Sequence, residues 1–393
     1  MVETSFIKPL LLLLIVILGF LNIVLFSTIS INHFWKSSIY KRKKELKEKY
    51  SEIMIDGIFN NEIDSKKIKL SRKIEYETFI EICIDLIVSF PDKMFLIHKA
   101  IFETNTYQYL RKNTYSKEWD KKFYAIEKLG YLKLDALKEI LIELYSSEEL
   151  LELKINILIA MSMIADIKIA RFITYALSKD VYLSPKLIEF LYVNIFKNMI
   201  KRKDIENENV IIKDIKGKYI LETHIKEKTN DIDSFIYFFN KIREDDNITK
   251  LIKISIIDAI GVAKLEEAEN SIVDYYYYYQ DDIDIRSACI RAFGEFKSKN
   301  TDHLIIKAMD DKDWILRNTS AKVSVKIGKS ILPNLNKLLY DKSYNVRLNS
   351  AKSLSMIGQE GLNVLAKELK SEDKFVRETA QFILDLKGKA SYV

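Results

Sequence analysis

Asp313-Trp314-Ile315-Leu316-Arg317 places a helix-capping acid, an aliphatic residue and an arginine in five positions. The same pattern stands at Asp282-Ile283-Asp284-Ile285-Arg286, Ser343-Tyr344-Asn345-Val346-Arg347 and Asp373-Lys374-Phe375-Val376-Arg377. The four arginines are spaced 31, 30 and 30 residues apart. A glycine follows each arginine by eight or eleven residues, at Gly294, Gly328, Gly358 and Gly388. A fixed period of this length marks a stacked-repeat architecture.

Each copy reads as a helical hairpin. Thr301–Met309 is expected as a first helix, Asp310–Asp313 as a turn and Trp314–Ile327 as a second helix. The turn aspartate can accept from the free N–H groups of the second helix. Ala321, Ala351 and Ala380 fall near mid-helix, where close packing needs a small side chain. The glycine is expected to end the helix in a left-handed conformation. One hairpin cannot bury its apolar face alone, but stacked neighbours can.

The frame extends backwards in weaker form. Ile252-Lys253 leads to Gly261, Leu153-Lys154 to Ala165 and Lys122 to Gly130. The region 186–240 fits two more copies by length alone. About nine repeats are expected between 107 and 389.

The aspartate turn, the aliphatic-arginine pair, the central alanine and the terminal glycine resemble HEAT repeats. The resemblance is strongest over 282–388 and departs at 186–250, where the motif residues are missing. It implies an all-α, right-handed α-solenoid. The order of anchor, basic helix and a tryptophan-led first repeat (Trp119 to Gly130) is also similar to bacterial membrane-anchored HEAT proteins. Some of these accompany membrane glycosyltransferases that make surface polysaccharide, so the resemblance implies a polysaccharide synthase as partner.

The N-terminus carries a separate signal. Leu10–Leu18 is an unbroken apolar run, and after Gly19 it continues through Phe26 with only Asn22 polar. About 20 helical residues span a hydrocarbon core. A cleaved signal peptide would have a shorter apolar region and a small-x-small site, which Ser27-Thr28-Ile29-Ser30 matches poorly. One N-terminal transmembrane helix is therefore expected. Lys36, Lys41, Arg42, Lys43 and Lys44 follow the run, against Glu3 and Lys8 before it. Positive charge stays inside, so the N-terminus is expected out and the C-terminal part in the cytoplasm of the plasma membrane. Trp35 and Tyr40 fit the headgroup level. The expected division is an anchor at 1–35, a basic helix and helical cap at 36–106, and the repeat array at 107–393.

Composition narrows the chemistry. The net charge of +6 is spread along 393 residues, without the concentrated basic face of a nucleic-acid binder. Cys83 and Cys289 each sit in an apolar helical pattern and read as buried thiols. His33, His98, His224 and His303 have no metal-ligand spacing. HEAT-like hydroxylases rely on repeated His-Glu pairs, and no His-Glu pair occurs here. Neither a cofactor, a metal, a catalytic residue nor a small-molecule substrate is expected. The recurrent Asp and Arg residues read as a structural ladder.

Two features remain as candidate binding surfaces. Arg291, Lys322 and Lys352 share one slot of three successive second helices, five residues after the repeat arginine. Phe382 ends that row and Asp258 interrupts it before Arg291. Tyr275–Tyr279 is a run of five tyrosines, which a helix cannot bury on all sides. In the repeat register Tyr278 matches Met309 and Leu339 and is expected buried, whereas Tyr276 matches Lys307 and Lys337 and is expected exposed. Tyr276 and Tyr279 are the candidate partner contacts. The leading expectation is a non-enzymatic, membrane-anchored scaffold for a membrane-associated protein. The alternative is a nucleic-acid enzyme similar to the HEAT-like DNA glycosylases.

Overall fold

The computed structural model describes residues 4–134, 138–164, 166–179, 183–203, 209–215, 218–224 and 231–390, at 4–16, 32, 201–203, 209–224 and 389–390 by backbone only. Among the described residues the chain is all-helical except for one strand hairpin, and it forms two compact units, Met1–Lys128 and Leu129–Val393.

The first unit begins with α1 (Thr4–Phe59), a single helix of 56 residues. Its part from Ile17 onward is long and apolar enough to cross a membrane, with mean hydropathy 1.6 in its most apolar stretch. Its C-terminal part turns amphipathic. Leu46, Tyr50, Met54 and Ile58, spaced by four, are buried. They pack on α2 (Lys73–Ser89), whose Phe79, Ile82, Cys83 and Leu86 are buried in turn. The basic cluster flanks this contact. Lys43 pairs with Glu81 at 2.7 Å and Lys47 with Asp85 at 3.0 Å, two pairs one turn apart on both helices. α1 ends where Asn61 takes φ 57°, and Pro91 follows the end of α2. α3 (Met94–Glu103) and α4 (Thr106–Thr114) complete the set before α5 (Trp119–Leu132).

In the second unit, helices come in pairs. α6 (Lys138–Ser147) precedes α7 (Leu151–Ile164), and α8 (Ile167–Lys179) precedes α9 (Pro185–Lys203). α10 (Asp231–Ile242) and α11 (Lys250–Ala263) follow, then α12 (Glu269–Tyr278) and α13 (Ile283–Glu295). The last three pairs are α14 (Asp302–Ala308) with α15 (Trp314–Val323), α16 (Leu332–Leu338) with α17 (Tyr344–Met356), and α18 (Gln359–Glu368) with α19 (Lys374–Ala390). The second helices lie side by side: α7 against α9, α9 against α11, and so on to α17 against α19.

Among its described residues, the region 186–240 does not hold two helical repeats. It holds most of α9, most of α10 and an antiparallel hairpin between them, β1 (Asn209–Ile215) and β2 (Lys218–His224), with Asn209 opposite His224. β-branched residues cluster there (Val210, Ile211, Ile212, Ile220, Thr223), which suits strands better than helices. α9 still packs on α11, so the hairpin is an insertion within the sequence of pairs. Ala165, expected at a glycine-like slot, lies outside the described residues.

The turn chemistry explains the motif. Asp282 accepts from the N–H of Asp284 and Ile285, Asp313 from Ile315, and Asp373 from Phe375 and Val376. Ser343 makes no such side-chain cap; the N–H of Ser343 instead donates to Asp341. The aliphatic residues Ile285, Leu316, Val346 and Val376 are buried, as are Ala321, Ala351 and Ala380.

The glycines divide by slot, and the expectation that all of them end helices is corrected. Those eleven residues on, Gly328 and Gly358, take φ of 81° and 104° and do break the chain direction. Gly388, in the same slot, lies inside α19. Those eight residues on are helical and mark close approach. A Cβ on Gly261 would stand 2.8 Å from the Ala292 Cα, and one on Gly130 would stand 2.7 Å from the Ala160 Cα.

Candidate functional site

The repeated arginines are structural. Arg317 donates through Nη1 to the Asp311 and Lys312 carbonyls of its own turn and through Nε and Nη2 to the Asp341 carboxylate of the next. Arg286 donates to Asp311 through Nη2 alone, 2.7 Å away. In the weaker copy Lys253 takes the arginine slot and donates to the Arg243 carbonyl at 3.0 Å. Burial of the Asp311 and Asp341 carboxylates pushes their pKa upward, but their hydrogen bonds to arginine and backbone N–H groups outweigh it and hold both below the usual carboxylate range.

The second helices present the candidate basic row. Because α11, α13, α15, α17 and α19 lie side by side, Asp258, Arg291, Lys322, Lys352 and Phe382 occupy one slot on adjacent helices. Arg291 is not a free cation. Its Nε and Nη2 each donate to one Asp258 carboxylate oxygen at 2.8 Å. Two residues in one slot of adjacent helices are neighbours, so their pairing was readable from the register. Lys322 and Lys352 are exposed and make no ion pair among the described residues. The basic row therefore reduces to two lysines. Phe382 is 49% exposed and continues a stripe on α19 with Phe375 and Leu386, four or seven residues apart and also exposed. Met356 on α17 shares a slot with Leu386 and is exposed as well. Sequence reading missed these three, although the solvent-facing spacing from Phe382 identifies two of them.

The tyrosine run is placed differently from its expected register. Tyr275 and Tyr276 are buried, while Tyr277 and Tyr278 are exposed. The Tyr276 hydroxyl accepts from Arg286 Nη2 at 3.0 Å, and Tyr279, half-buried, accepts from Lys253 Nζ at 2.9 Å. Neither Tyr276 nor Tyr279 is the open partner contact expected of it. The cause is a turn two residues longer than in the next repeat. Tyr276 stands ten residues before Arg286, whereas its structural counterpart Met309 stands eight before Arg317. Two residues rotate a helix by about 200°, which exchanges its faces.

No group of three or more His, Cys, Asp or Glu side chains could hold a metal among the described residues. Cys83 and Cys289 are buried, and burial pushes both thiols far above their ordinary range. An open cavity of about 420 Å³ lies between two turns, lined by Lys312, Trp314, Arg317, Lys342 and Asn345 among others.

No family profile matches the sequence, and no curated protein matches it. Among solved structures, one engineered protein is similar over 86% of this chain and 98% of its own, at 14% identity and a TM-score of 0.30. Human deoxyhypusine hydroxylase in complex with glycerol is similar over 65% and 98%, at 12% identity and 0.26. A second engineered protein covers 70% and 94%, at 14% and 0.20. At these TM-scores the likenesses carry no weight for fold or function.

Proposed function

We propose that the chain is a non-enzymatic, membrane-anchored scaffold, a right-handed α-solenoid of HEAT-like hairpins held to the plasma membrane by α1. The positive charge that follows the apolar part of α1 favours an N-terminus outside and a solenoid in the cytoplasm. The partner is a membrane-associated protein, because a shared bilayer raises the effective concentration of two anchored proteins. The resemblance to anchored HEAT proteins favours a polysaccharide synthase or similar membrane enzyme.

One observation carries the reading: the exposed side of α15, α17 and α19 combines Lys322 and Lys352, which make no ion pair among the described residues, with the exposed apolar residues Met356, Phe375, Phe382 and Leu386. Apolar side chains rimmed by charge are the composition of a protein-binding surface. The pairing of Arg291 with Asp258 removes one of three cations from the row that a nucleic-acid enzyme would use, and disfavours that alternative.

The test is affinity capture of the full-length chain from detergent-solubilised membranes, beside a variant carrying Lys322→Glu, Lys352→Glu and Phe382→Asp. A reproducible protein partner that the variant loses is the expected result. Equal recovery with the variant, or no partner at all, overturns the proposed surface. Strong, salt-dependent binding of the cytoplasmic part to DNA would restore the alternative.

A further inference from the structure

Two residues in the apolar part of α1 are unexplained by the fold. Gly19 sits in mid-helix, where glycine is less favourable than alanine, yet a Cβ there would meet nothing within 4 Å. No packing among the described residues requires it. Asn22 is the one polar residue between Pro9 and Phe26. Its Nδ2 donates to the Leu18 carbonyl at 3.0 Å, and its Oδ1 accepts from no group among the described residues. A carbonyl oxygen left unpaired in hydrocarbon is costly. Thr28 shows the contrast: its hydroxyl is satisfied within the helix, by the Val24 and Leu25 carbonyls at 3.0 and 2.8 Å.

At 100° per residue, Gly19, Asn22, Phe26, Ser30 and His33 fall within an arc of roughly 80°, with Thr28 on the far side. One face of the anchor thus combines a site of close approach, an unsatisfied amide and further polar groups towards its C-terminal end. Small residues let two backbones approach in a bilayer, and amide side chains bond across the gap.

We propose that this face binds the same face of a second copy of the chain, so that the anchor is a homodimer. The occupant follows from the symmetry of the amide. Two copies inserted with one topology lie parallel, which sets Asn22 opposite Asn22 at one depth. A carboxamide carries both a donor and an acceptor, so each Nδ2 can donate to the other's Oδ1 and neither acceptor is left unpaired. Gly19, one turn away on the same face, provides the close approach that this bond needs. The proposal rests on the reading of α1 as a membrane anchor.

The experiment uses full-length protein, labelled with donor or acceptor fluorophores and reconstituted in phosphatidylcholine vesicles. Energy transfer is measured against the protein-to-lipid ratio, after flotation to establish that the protein stays with the vesicles. Transfer that rises with the ratio is expected, with association weakened roughly tenfold by Asn22→Leu, weakened by Gly19→Leu and unchanged by Thr28→Val. Protein that floats but shows no ratio-dependent transfer, or transfer that Asn22→Leu leaves intact, overturns the dimer. Protein that does not float overturns the anchor reading itself, a failure that flotation reveals before any transfer is measured. Transfer absent with pure protein, together with Asn22-dependent cross-linking to a different membrane protein in native membranes, would also overturn the second copy as occupant.

Discussion

The Arg317 guanidinium grips the Asp341 carboxylate with two parallel hydrogen bonds, Nε at 2.6 Å and Nη2 at 3.0 Å, across the junction between consecutive helix pairs. Both side chains are largely buried. Asp341 also accepts the Ser343 N–H, so one carboxylate orders the turn that leads into α17 and ties it to α15. Asp341→Asn would leave the guanidinium without its ionic partner. The expected loss is about 2–3 kcal/mol of stability, read as a lower denaturant midpoint by circular dichroism. An unchanged midpoint would mean that the apolar contacts alone hold the junction.

The same ladder predicts a pH response. The folded-state pKa of Asp311 and Asp341 is depressed, so their stabilisation is fully present above the unfolded value of about 3.9 and is lost as pH falls through the folded value. The melting temperature should hold between about pH 5 and 7 and fall below about pH 4. Asp341→Asn should flatten that fall. A variant that loses stability in acid as steeply as the parent would assign the response to other carboxylates.

The ladder stops at Arg347. Ser371 stands where Asp311 and Asp341 stand in the preceding turns, and the buried Arg347 Nε has no hydrogen-bond partner among the described residues. Its guanidinium rests instead on the Phe375 ring, 5.1 Å from the centroid. Ser371→Asp should supply the missing carboxylate and raise stability by about 0.5–1 kcal/mol. Thermal melts of the two proteins decide the point. A drop would show that the Phe375 contact and a carboxylate compete for the same edge.

Glycines alike in sequence should respond oppositely to alanine. Gly261→Ala drives a methyl into the Ala292 backbone and should cost about 1–3 kcal/mol. Gly388→Ala meets no neighbour and lies in a helix, so it should add up to about 1 kcal/mol. Paired denaturation curves provide the comparison, and equal effects would contradict the close approach at Gly261.

The pairs were legible because their signals are local: the Asp282, Asp313 and Asp373 caps, the buried aliphatic residue beside each arginine, and a constant spacing. The long apolar part of α1 was legible for the same reason. Tyr276 was misplaced because a turn length is not fixed by the helices on either side, and two added residues reverse every assignment on the helix before them. The β1–β2 insertion has no periodic partner against which to detect it. The pairing of Arg291 with Asp258 is legible only in the repeat register, one slot on adjacent helices, and charge counted along the chain overstates the basic row.

The continuity of α1 has a consequence for how the chain is made. Leu46, Tyr50, Met54 and Ile58 leave the ribosome before the α2 residues that cover them. At about 5–20 residues per second, the interval from Ile58 to Ile87 is roughly 1.5–6 s. During it, a bare apolar stripe flanked by Lys43, Lys44 and Lys47 sits beside an apolar segment fit for the bilayer. Such a stripe suits the lipid headgroup boundary. In the anchored reading, the bilayer surface shelters the nascent helix until Glu81 and Asp85 arrive to draw it off.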